Sequence, residues 1–216
     1  MRPDVRHPST GSALPSPLRL HGRRLLLRPL AADDFPNWSE VRWRNEDWLT
    51  PWEPRRPPAA LDPSVNREAF VARCAARDRD AAAGLAYGFG VFVGQRLAGE
   101  VNLNHVLRGA MQSATVGYWI DNALAGQGLI AESIVVVAGF AFEQLDLHRL
   151  EICIVPRNTN SRRVMEKLGV REEGVAERFL EINGEWEDHL RYGFTVEEWE
   201  SRRTELSATW LYPLPF

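Results

Sequence analysis

The spacing of apolar residues alternates between a period near two and a period near 3.6 along the first third of the chain. Leu25–Leu27 predicts a first strand. A helical spacing through Trp38 follows, with Asp33 or Asp34 as the candidate N-cap. Residues 63–79 again show a helical spacing, with Pro63 in the first turn. The intervening stretch is rich in tryptophan and proline and predicts a loop with short helical pieces.

The middle of the chain predicts three successive strands and a buried helix. The strands are Tyr87–Val93, Leu97–Val106 and Ala114–Ile120, and turn residues separate them. Leu129–Leu145 is apolar almost all round, and its length favours a buried helix over a strand.

The last third predicts a strand, a short helix and a hairpin. Arg149–Val155 is the strand, and Ser161–Leu168 is the helix, which Gly169 ends. Val175–Ile182 and His189–Thr195 pair across an Asn-Gly turn. The order of elements is β-α-α-β-β-β-α-β-α-β-β. We therefore expect one α/β domain with a mixed, mostly antiparallel sheet of about seven strands, flanked by helices and containing one β-α-β crossover.

Length and composition limit the domain organisation and the class of partner. The 216 residues suffice for one domain. Residues 1–18, with several prolines, predict a disordered tail, residues 19–203 the folded domain, and residues 204–216 an apolar tail that docks on its own domain or on a second subunit. A monomer or a homodimer is expected. The net charge of -3 argues against direct binding of nucleic acid.

The cysteines and the first residues point to the cytoplasm. Cys74 and Cys153 are the only cysteines, which is not the pattern of a secreted disulfide scaffold, although a disulfide between them stays open. The N-terminal residues lack the apolar segment of a signal peptide, and no apolar run is long enough to span a bilayer. No metal-ligand spacing is present among the histidines and cysteines.

The junction between the third middle strand and the long helix carries the strongest chemical signal. A Gly126-x-Gly128 sequence directly precedes the helix. Glycines let a ligand approach the backbone, and the first-turn N–H groups and the helix dipole favour an anion such as a pyrophosphate. A plain glycine turn is the alternative. The pattern departs from a dinucleotide fold, since Ala131 stands where that motif has its third glycine.

Several segments in consistent order, over about residues 20–200, resemble one enzyme family. Gly117-Tyr118-Trp119-Ile120 followed by residues 126–132 resembles the acetyl-CoA motif of GNAT acetyltransferases, and residues 158–169 resemble its second half. Residues 102–109 and 183–189 resemble the RimJ/RimL branch, the ribosomal-protein alanine N-acetyltransferases. The chain departs from the broad GNAT pattern at Ala125 and Ile130.

This resemblance implies acetyl-CoA as co-substrate, without a metal, and an amine as acceptor. In GNAT enzymes the pantetheine lies along a splayed strand, which would be Thr115–Asp121 here. The implied contacts of acetyl-CoA are with Trp119, Ile120, Asp121, Gly126, Gln127, Gly128, Leu129, Ile130, Ala131, Asn158, Ser161 and Lys167. The alternative for Asn158 is a turn residue.

The candidate catalytic residues are Ser161, Glu100 and Tyr118. Ser161 matches the RimL-branch serine that protonates the leaving thiolate, although it could instead be only an N-cap. The RimL glutamate that serves as base corresponds to Leu180, so Glu100 is the substitute, on the expectation that partial burial raises its pKa. A solvated Glu100 is the alternative. Weaker candidates for the base are Tyr118, Asp188 and His189. A water relay could replace any dedicated base.

The resemblance implies a protein N-terminal α-amine as acceptor, with a ribosomal protein as the implied class. An excess of acidic residues between Glu172 and Glu200, together with Trp43, Trp48 and Trp52, predicts a cleft that attracts a cation. A solvated acidic hairpin and core tryptophans are the alternative. Two other functions stay open, namely acetylation of a small amine such as an aminoglycoside or a polyamine, and a non-catalytic module that binds acyl-CoA.

Overall fold

A computed structural model describes residues 18–212, which contain one mixed sheet of eight strands. The order across the sheet is β1-β2-β3-β4-β5-β6-β8-β7. The strands are β1 Leu20–His21, β2 Leu26–Arg28, β3 Tyr87–Val93, β4 Arg96–Leu107, β5 Ser113–Ile120, β6 Arg149–Ile154, β7 Arg171–Ile182 and β8 Glu185–Thr195. The predicted single-domain α/β fold is confirmed, with eight strands in place of about seven.

Six helices pack around this sheet within the described residues. They are α1 Phe35–Arg44, α2 Glu46–Leu49, α3 Arg67–Ala82, α4 Leu129–Gly139, α5 Thr159–Leu168 and α6 Val196–Trp210. A π-helical turn, Phe140–Gln144, continues α4. Helix α3 begins after Asn66, whose side chain accepts a hydrogen bond from the Ala69 N–H at 2.8 Å. The predicted start at Pro63 is therefore wrong.

The β5-α4-β6 unit is the crossover that the sequence predicted, and it opens the sheet. Strands β5 and β6 are parallel, whereas all the other paired strands are antiparallel. Their register runs only from Ser113–Arg149 to Thr115–Glu151. Beyond that point the two strands diverge, while β5 stays paired with β4 as far as Ile120. The sheet is thus open between β5 and β6 next to the start of α4.

Helix α4 forms the centre of the core, as its apolar sequence predicts. All of its residues from Leu129 to Ala138 are buried. Phe140 in the following turn contacts Tyr87 and Phe89 edge-on, at ring distances of 5.2 and 5.8 Å. This packing fixes the position of α4 relative to the sheet.

The C-terminal helix α6 was not predicted. A capping box starts it, since the Thr195 side chain accepts from the Glu198 N–H and Glu198 accepts from the Thr195 N–H. The domain boundary expected at residue 203 falls inside this helix. Trp210, at its end, packs against the main core. Residues 1–17 and 213–216 lie outside the described part, so the predicted N-terminal tail and the docking of the last residues stay predictions. No helix within residues 18–212 is long and apolar enough to cross a membrane.

Candidate active site

A cavity of about 800 Å³ lies where β5 and β6 diverge. It extends from the start of α4 past β5 and α5 to the segment after α2. Its walls are formed by Trp48, Leu49, Trp52, Glu53, Pro54, Asn102, Gly117, Tyr118, Trp119, Ile120, Leu124, Ala125, Gly126, Gly128, Leu129, Ile130, Ala131, Asn158, Asn160, Ser161, Arg163, Val164 and Lys167. Most of the residues predicted to contact acetyl-CoA therefore border one space.

The backbone of β5 presents polar groups to the opening. The Asp121 N–H donates to the Ala98 carbonyl on β4 at 2.7 Å. Because bonded and non-bonded pairs alternate in an antiparallel ladder, the backbone groups of Trp119 also point towards β4. Those of Tyr118 and Ile120 point the other way, to the side that β6 has left. Backbone contacts with a ligand at Trp119 and Asp121, which the sequence predicted, are thus unfavourable, and the backbone of Tyr118 and the N–H of Ile120 offer them instead.

Gly126–Gly128, here called the glycine loop, has the backbone conformation that its residues predict. Gly126 and Gly128 have φ values of +78° and +80°, which favour glycine. The first helical bond of α4 joins the Glu132 N–H to the Gly128 carbonyl at 3.0 Å, so the three preceding N–H groups remain available at the helix start. Lys167 and Arg163, on α5, line the same cavity. Free N–H groups and two cations suit a pyrophosphate.

Gln127 and Asp121 do not line the cavity. The Gln127 carbonyl accepts a hydrogen bond from Arg24 Nη1 at 2.9 Å. The Asp121 carboxylate is buried. It accepts hydrogen bonds from Arg44 Nη2 at 2.5 Å and from Asn45 Nδ2 at 2.9 Å. Asp121 therefore anchors the end of β5 and leaves no side-chain oxygen for a ligand.

Ser161 and Tyr118 form a hydroxyl pair beside the opening. Their Oγ and Oη atoms are 2.6 Å apart. The N-cap of α5 is Asn158, whose Oδ1 accepts from the Ser161 N–H at 3.1 Å, so the alternative that Ser161 is the cap is wrong. Burial raises the pKa of Tyr118 well above its ordinary value, which keeps its hydroxyl protonated. The pair can hold and donate a proton, and Tyr118 is a poor base.

Glu100 does not line this cavity. Its carboxylate is 1% exposed, accepts from Trp38 Nε1 at 2.6 Å and pairs with Arg73 Nη2 at 2.5 Å. Burial by itself raises the pKa of Glu100, but the charges of Arg73 and Arg77 and the two hydrogen bonds outweigh it and lower this pKa. The expected rise in pKa is wrong, and both carboxylate oxygens are engaged. Glu100 is thus an internal ion-pair partner.

An aromatic wall, Trp48 and Trp52, bounds the other end of the cavity. Trp48 Nε1 donates to the Ile120 carbonyl at 3.1 Å. Glu53 is the one carboxylate that lines the cavity among the described residues, and Arg42 holds it by two bonds of 2.6 Å. Trp43, which the sequence placed in the same wall, is 71% exposed and does not line the cavity.

Residues 51–55, here called the strap, connect this wall to the opposite side of the opening. Arg157, after β6, donates to the Pro51 carbonyl at 3.1 Å and stacks over the Trp52 ring at 4.7 Å. The Asn183 N–H, in the β7–β8 turn, donates to the Glu53 carbonyl at 2.8 Å. Both contacts come from the β6-β8-β7 half of the opened sheet, so the strap is held at two points by the side opposite β5. No local sequence signal indicates these contacts, because they join residues more than a hundred positions apart.

The acidic residues of the β7–β8 hairpin do not form the predicted cleft. None of them lines the cavity. Glu173 pairs with Arg149, Glu187 pairs with Arg157, and the Asp188 carboxylate accepts the Arg178 N–H. His189, one of the weaker candidates, is buried and its Nδ1 lies 2.9 Å from the Glu187 carbonyl. These contacts correct the expectation of an acidic surface facing the acceptor.

The model of the acetyltransferase (GNAT) domain matches residues 24–171. The chain belongs to the GNAT acetyltransferase family. It is an acetyl-CoA-dependent acetyltransferase.

Three relatives agree with this assignment over most of the chain. A Bacillus subtilis (strain 168) protein named "Probable N-acetyltransferase YjcK" is 34% identical over 79% of this chain and 93% of its own length. The [ribosomal protein uS5]-alanine N-acetyltransferase of Escherichia coli (strain K12) is 28% identical over 86% of this chain and 95% of its own length. The structure of Mycobacterium smegmatis RimJ in complex with CoA-disulfide matches with a TM-score of 0.82 at 28% identity, covering 92% of this chain and 98% of RimJ. The resemblance to the RimJ/RimL branch is thereby confirmed.

Proposed function

We propose that this acetyltransferase transfers the acetyl group of acetyl-CoA to the N-terminal α-amine of a protein, by direct attack while both substrates are bound. The observation that carries the proposal is the cavity with two unlike ends. A glycine loop and two cations form one end, an aromatic wall with a carboxylate forms the other, and a hydroxyl pair lies beside the opening between the strands.

The first end suits the phosphates and pantetheine of acetyl-CoA. The glycine loop and the first turn of α4 would bind the pyrophosphate through backbone N–H groups, and Lys167 and Arg163 would add positive charge. The backbone of Tyr118 and the N–H of Ile120, left unpaired by β6, would bond the pantetheine amides. Asn158 borders the same path.

The hydroxyl pair would supply the acid of the reaction. The amine nitrogen bonds to the thioester carbonyl carbon, the C–S bond breaks, and the nitrogen loses a proton to water. The leaving thiolate takes a proton, which Ser161 would donate while Tyr118 bonds its oxygen. Neither hydroxyl is used by a helix cap, since Asn158 fills that role.

The second end would receive the acceptor. Aromatic rings and the Glu53 carboxylate suit a cationic chain end. A strong base is not found among the described residues that line the cavity, because Glu53 is paired with Arg42. An α-amine has a pKa near 8, about two units below that of lysine, and is deprotonated by water more readily at neutral pH. This favours an α-amine over a lysine.

The names of the relatives indicate which proteins to try first. The Escherichia coli relative is named for acetylation of an alanine of ribosomal protein uS5. We therefore propose a ribosomal protein that begins with alanine or serine as the acceptor class, which would place the reaction in the cytoplasm.

The test compares two matched sets of peptides. One set begins with a free alanine or serine, and the other has a blocked N-terminus and one free lysine. Thiol release from acetyl-CoA is followed between pH 6 and pH 10. We expect turnover of the first set only, with a rate that rises to about pH 8 and then levels off as the α-amine deprotonates.

Two outcomes would contradict the proposal. Equal or faster acetylation of the blocked peptides would exclude the preference for an α-amine. Turnover of aminoglycosides or polyamines without turnover of any peptide would assign the enzyme to small-molecule acceptors. In either case the acetyl-CoA half of the proposal would stand, since thiol release is the common readout.

A further inference from the structure

A buried carboxylate lies directly behind the first turn of α4. Glu132 is the fourth residue of this helix, and its side chain is 0% exposed. A carboxylate in a first turn interacts favourably with the helix dipole. The same charge would repel a pyrophosphate at the helix N-terminus unless a cation neutralises it. Glu132 therefore needs a partner for this turn to bind an anion.

Arg24 is that partner, and it also holds the glycine loop. Its backbone N–H donates to Glu132 Oε1 at 2.6 Å, and its Nε donates to Oε2 at 2.7 Å. Its Nη1 donates to the Gln127 carbonyl at 2.9 Å. One residue from the β1–β2 connection thus joins the helix turn and the loop that precedes it.

The chain makes room for this contact at two positions. A Cβ on Gly22 would lie 2.7 Å from Glu132 Oε1, so the approach of the β1–β2 connection requires a glycine there. A Cβ on Gly128 would lie 3.5 Å from Arg24 Nη2 and 3.0 Å from the Trp210 ring. The guanidinium and the end of α6 thus enclose the loop from behind.

We propose that Arg24 is a positioning residue for acetyl-CoA. It cancels the charge of Glu132 and fixes the Gln127 carbonyl, so that the glycine loop directs its N–H groups outwards to the pyrophosphate. This inference rests on the proposed binding of the pyrophosphate at the glycine loop. It is independent of the acceptor, since CoA alone is the probe.

The experiment measures CoA binding by calorimetry in the full-length protein, with melting temperatures alongside. We expect Arg24→Met to weaken CoA binding about tenfold or more, because the carboxylate is then uncompensated and the loop is released. Adding Glu132→Gln should restore part of the lost affinity, since the repulsive charge is removed. A merely structural role would lower the melting temperature of Arg24→Met and leave the CoA affinity of the folded protein unchanged.

Arg28→Met is the matched control. Arg28 also holds a carboxylate by two bonds, to Asp34 at 2.7 Å each, but neither residue lines the cavity. We expect this variant to lower the melting temperature and leave CoA binding unchanged. If Arg24→Met fails to fold, Arg24→Lys serves in its place. Lysine keeps the positive charge but lacks the several N–H donors of the guanidinium, so we expect this variant to bind CoA with intermediate affinity.

The outcomes separate this inference from the site on which it rests. Wild-type CoA affinity in folded Arg24→Met or Arg24→Lys, together with loss of affinity in Gly128→Val, would overturn the role of Arg24 and leave the glycine loop as the site. Wild-type affinity in Gly128→Val would remove the loop assignment itself, and the role of Arg24 with it.

Discussion

The two ends of the cavity are built from different parts of the chain and in different ways. The end at α4 is built mainly on backbone N–H groups, two glycines with positive φ and the start of one helix, all within a few residues of each other. Lys167 and Arg163 add positive charge from α5. The end at the aromatic wall consists of side chains. The strap that closes it is held by Arg157 and Asn183, which lie more than a hundred positions away.

This difference indicates how each end can change during evolution. A backbone site accepts many side chains outside its glycines, so it can keep one ligand while the sequence drifts. The departure from the broad family pattern at Ala125 illustrates this, because the N–H groups of the first turn do not depend on that side chain. A wall of side chains changes with each substitution. We therefore expect cofactor binding to be robust and acceptor choice to be tuned by the strap.

The largest expected effect belongs to Glu100, which the sequence analysis assigned as the candidate base. Glu100→Gln should lower the free energy of unfolding by about 3 kcal/mol, because it leaves the Arg73 charge buried without its partner. The kcat of the folded enzyme should not change. Denaturant unfolding and steady-state kinetics, both normalised to folded protein, measure the two quantities.

The pH dependence of stability provides a second test of the role of Glu100, with the same variant. The folded pKa of Glu100 is lowered, so its contribution is present above the ordinary glutamate pKa of about 4.3 and is lost as the pH falls through the folded value. Wild type should lose this stability in acid, and Glu100→Gln should not. A fall in the kcat of folded Glu100→Gln would indicate that Glu100 takes part in catalysis after all.

The next effect concerns the hydroxyl pair, which lies where the two ends meet. Ser161→Ala should lower kcat about 100-fold, since the leaving thiolate loses its proton donor, with little change in the KM for acetyl-CoA. Stability should hardly change, because the cap of α5 is Asn158. Asn158→Ala is the contrast, with an expected loss of about 1 kcal/mol of stability. An unchanged kcat in Ser161→Ala would exclude the acid role.

The sequence predicts the local parts of this molecule well. The hairpin turn at Asn183, the buried helix α4 and the glycine loop each have a signature within a short window, and each is present. The β-α-β crossover also follows from the order of the elements. The glycine loop by itself predicts only an anion site, and acetyl-CoA is implied by the resemblance of residues 117–132 to the GNAT motif.

Features that depend on distant partners were predicted poorly. A glutamate on a central strand can be a base or an ion-pair partner, and only the approach of Trp38 and Arg73 from two helices decides this for Glu100. The acidic hairpin was expected to face the acceptor, but arginines elsewhere in the fold pair with several of its carboxylates. Helix α6 was missed because its sequence is polar with two buried residues, Trp199 and Leu206.

A smaller effect is expected at the backbone end. Gly128→Val should weaken CoA binding about tenfold, because valine resists a φ of +80° and its side chain would meet Trp210 and the pyrophosphate. Gly109→Val is the matched control, since Gly109 has a φ of +66° in a turn where nothing lies within 4 Å. Both variants should lose stability, and calorimetry with CoA should distinguish them. Equal affinities would refute the loop assignment.

The smallest effect is expected at the strap. Arg157→Met removes the bond to the Pro51 carbonyl, the stacking on Trp52 and the ion pair with Glu187. These contacts are exposed, and together they should be worth about 1 kcal/mol. A loss of about 1 kcal/mol should raise the KM for the acceptor peptide about fivefold, because the aromatic wall is no longer fixed. The affinity for CoA should stay unchanged. Arg191→Met is the control.

Arg191 also makes an exposed ion pair on the same sheet, with Glu151, but it does not line the cavity or touch the strap. Loss of the Arg191 side chain should change neither the KM for the acceptor peptide nor the affinity for CoA. The prediction requires that the two ends respond separately, with steady-state kinetics for the peptide and calorimetry for CoA. If Arg157→Met weakened CoA binding as much as peptide binding, the strap would hold the whole cavity, and acceptor choice could not be tuned there without loss of the cofactor.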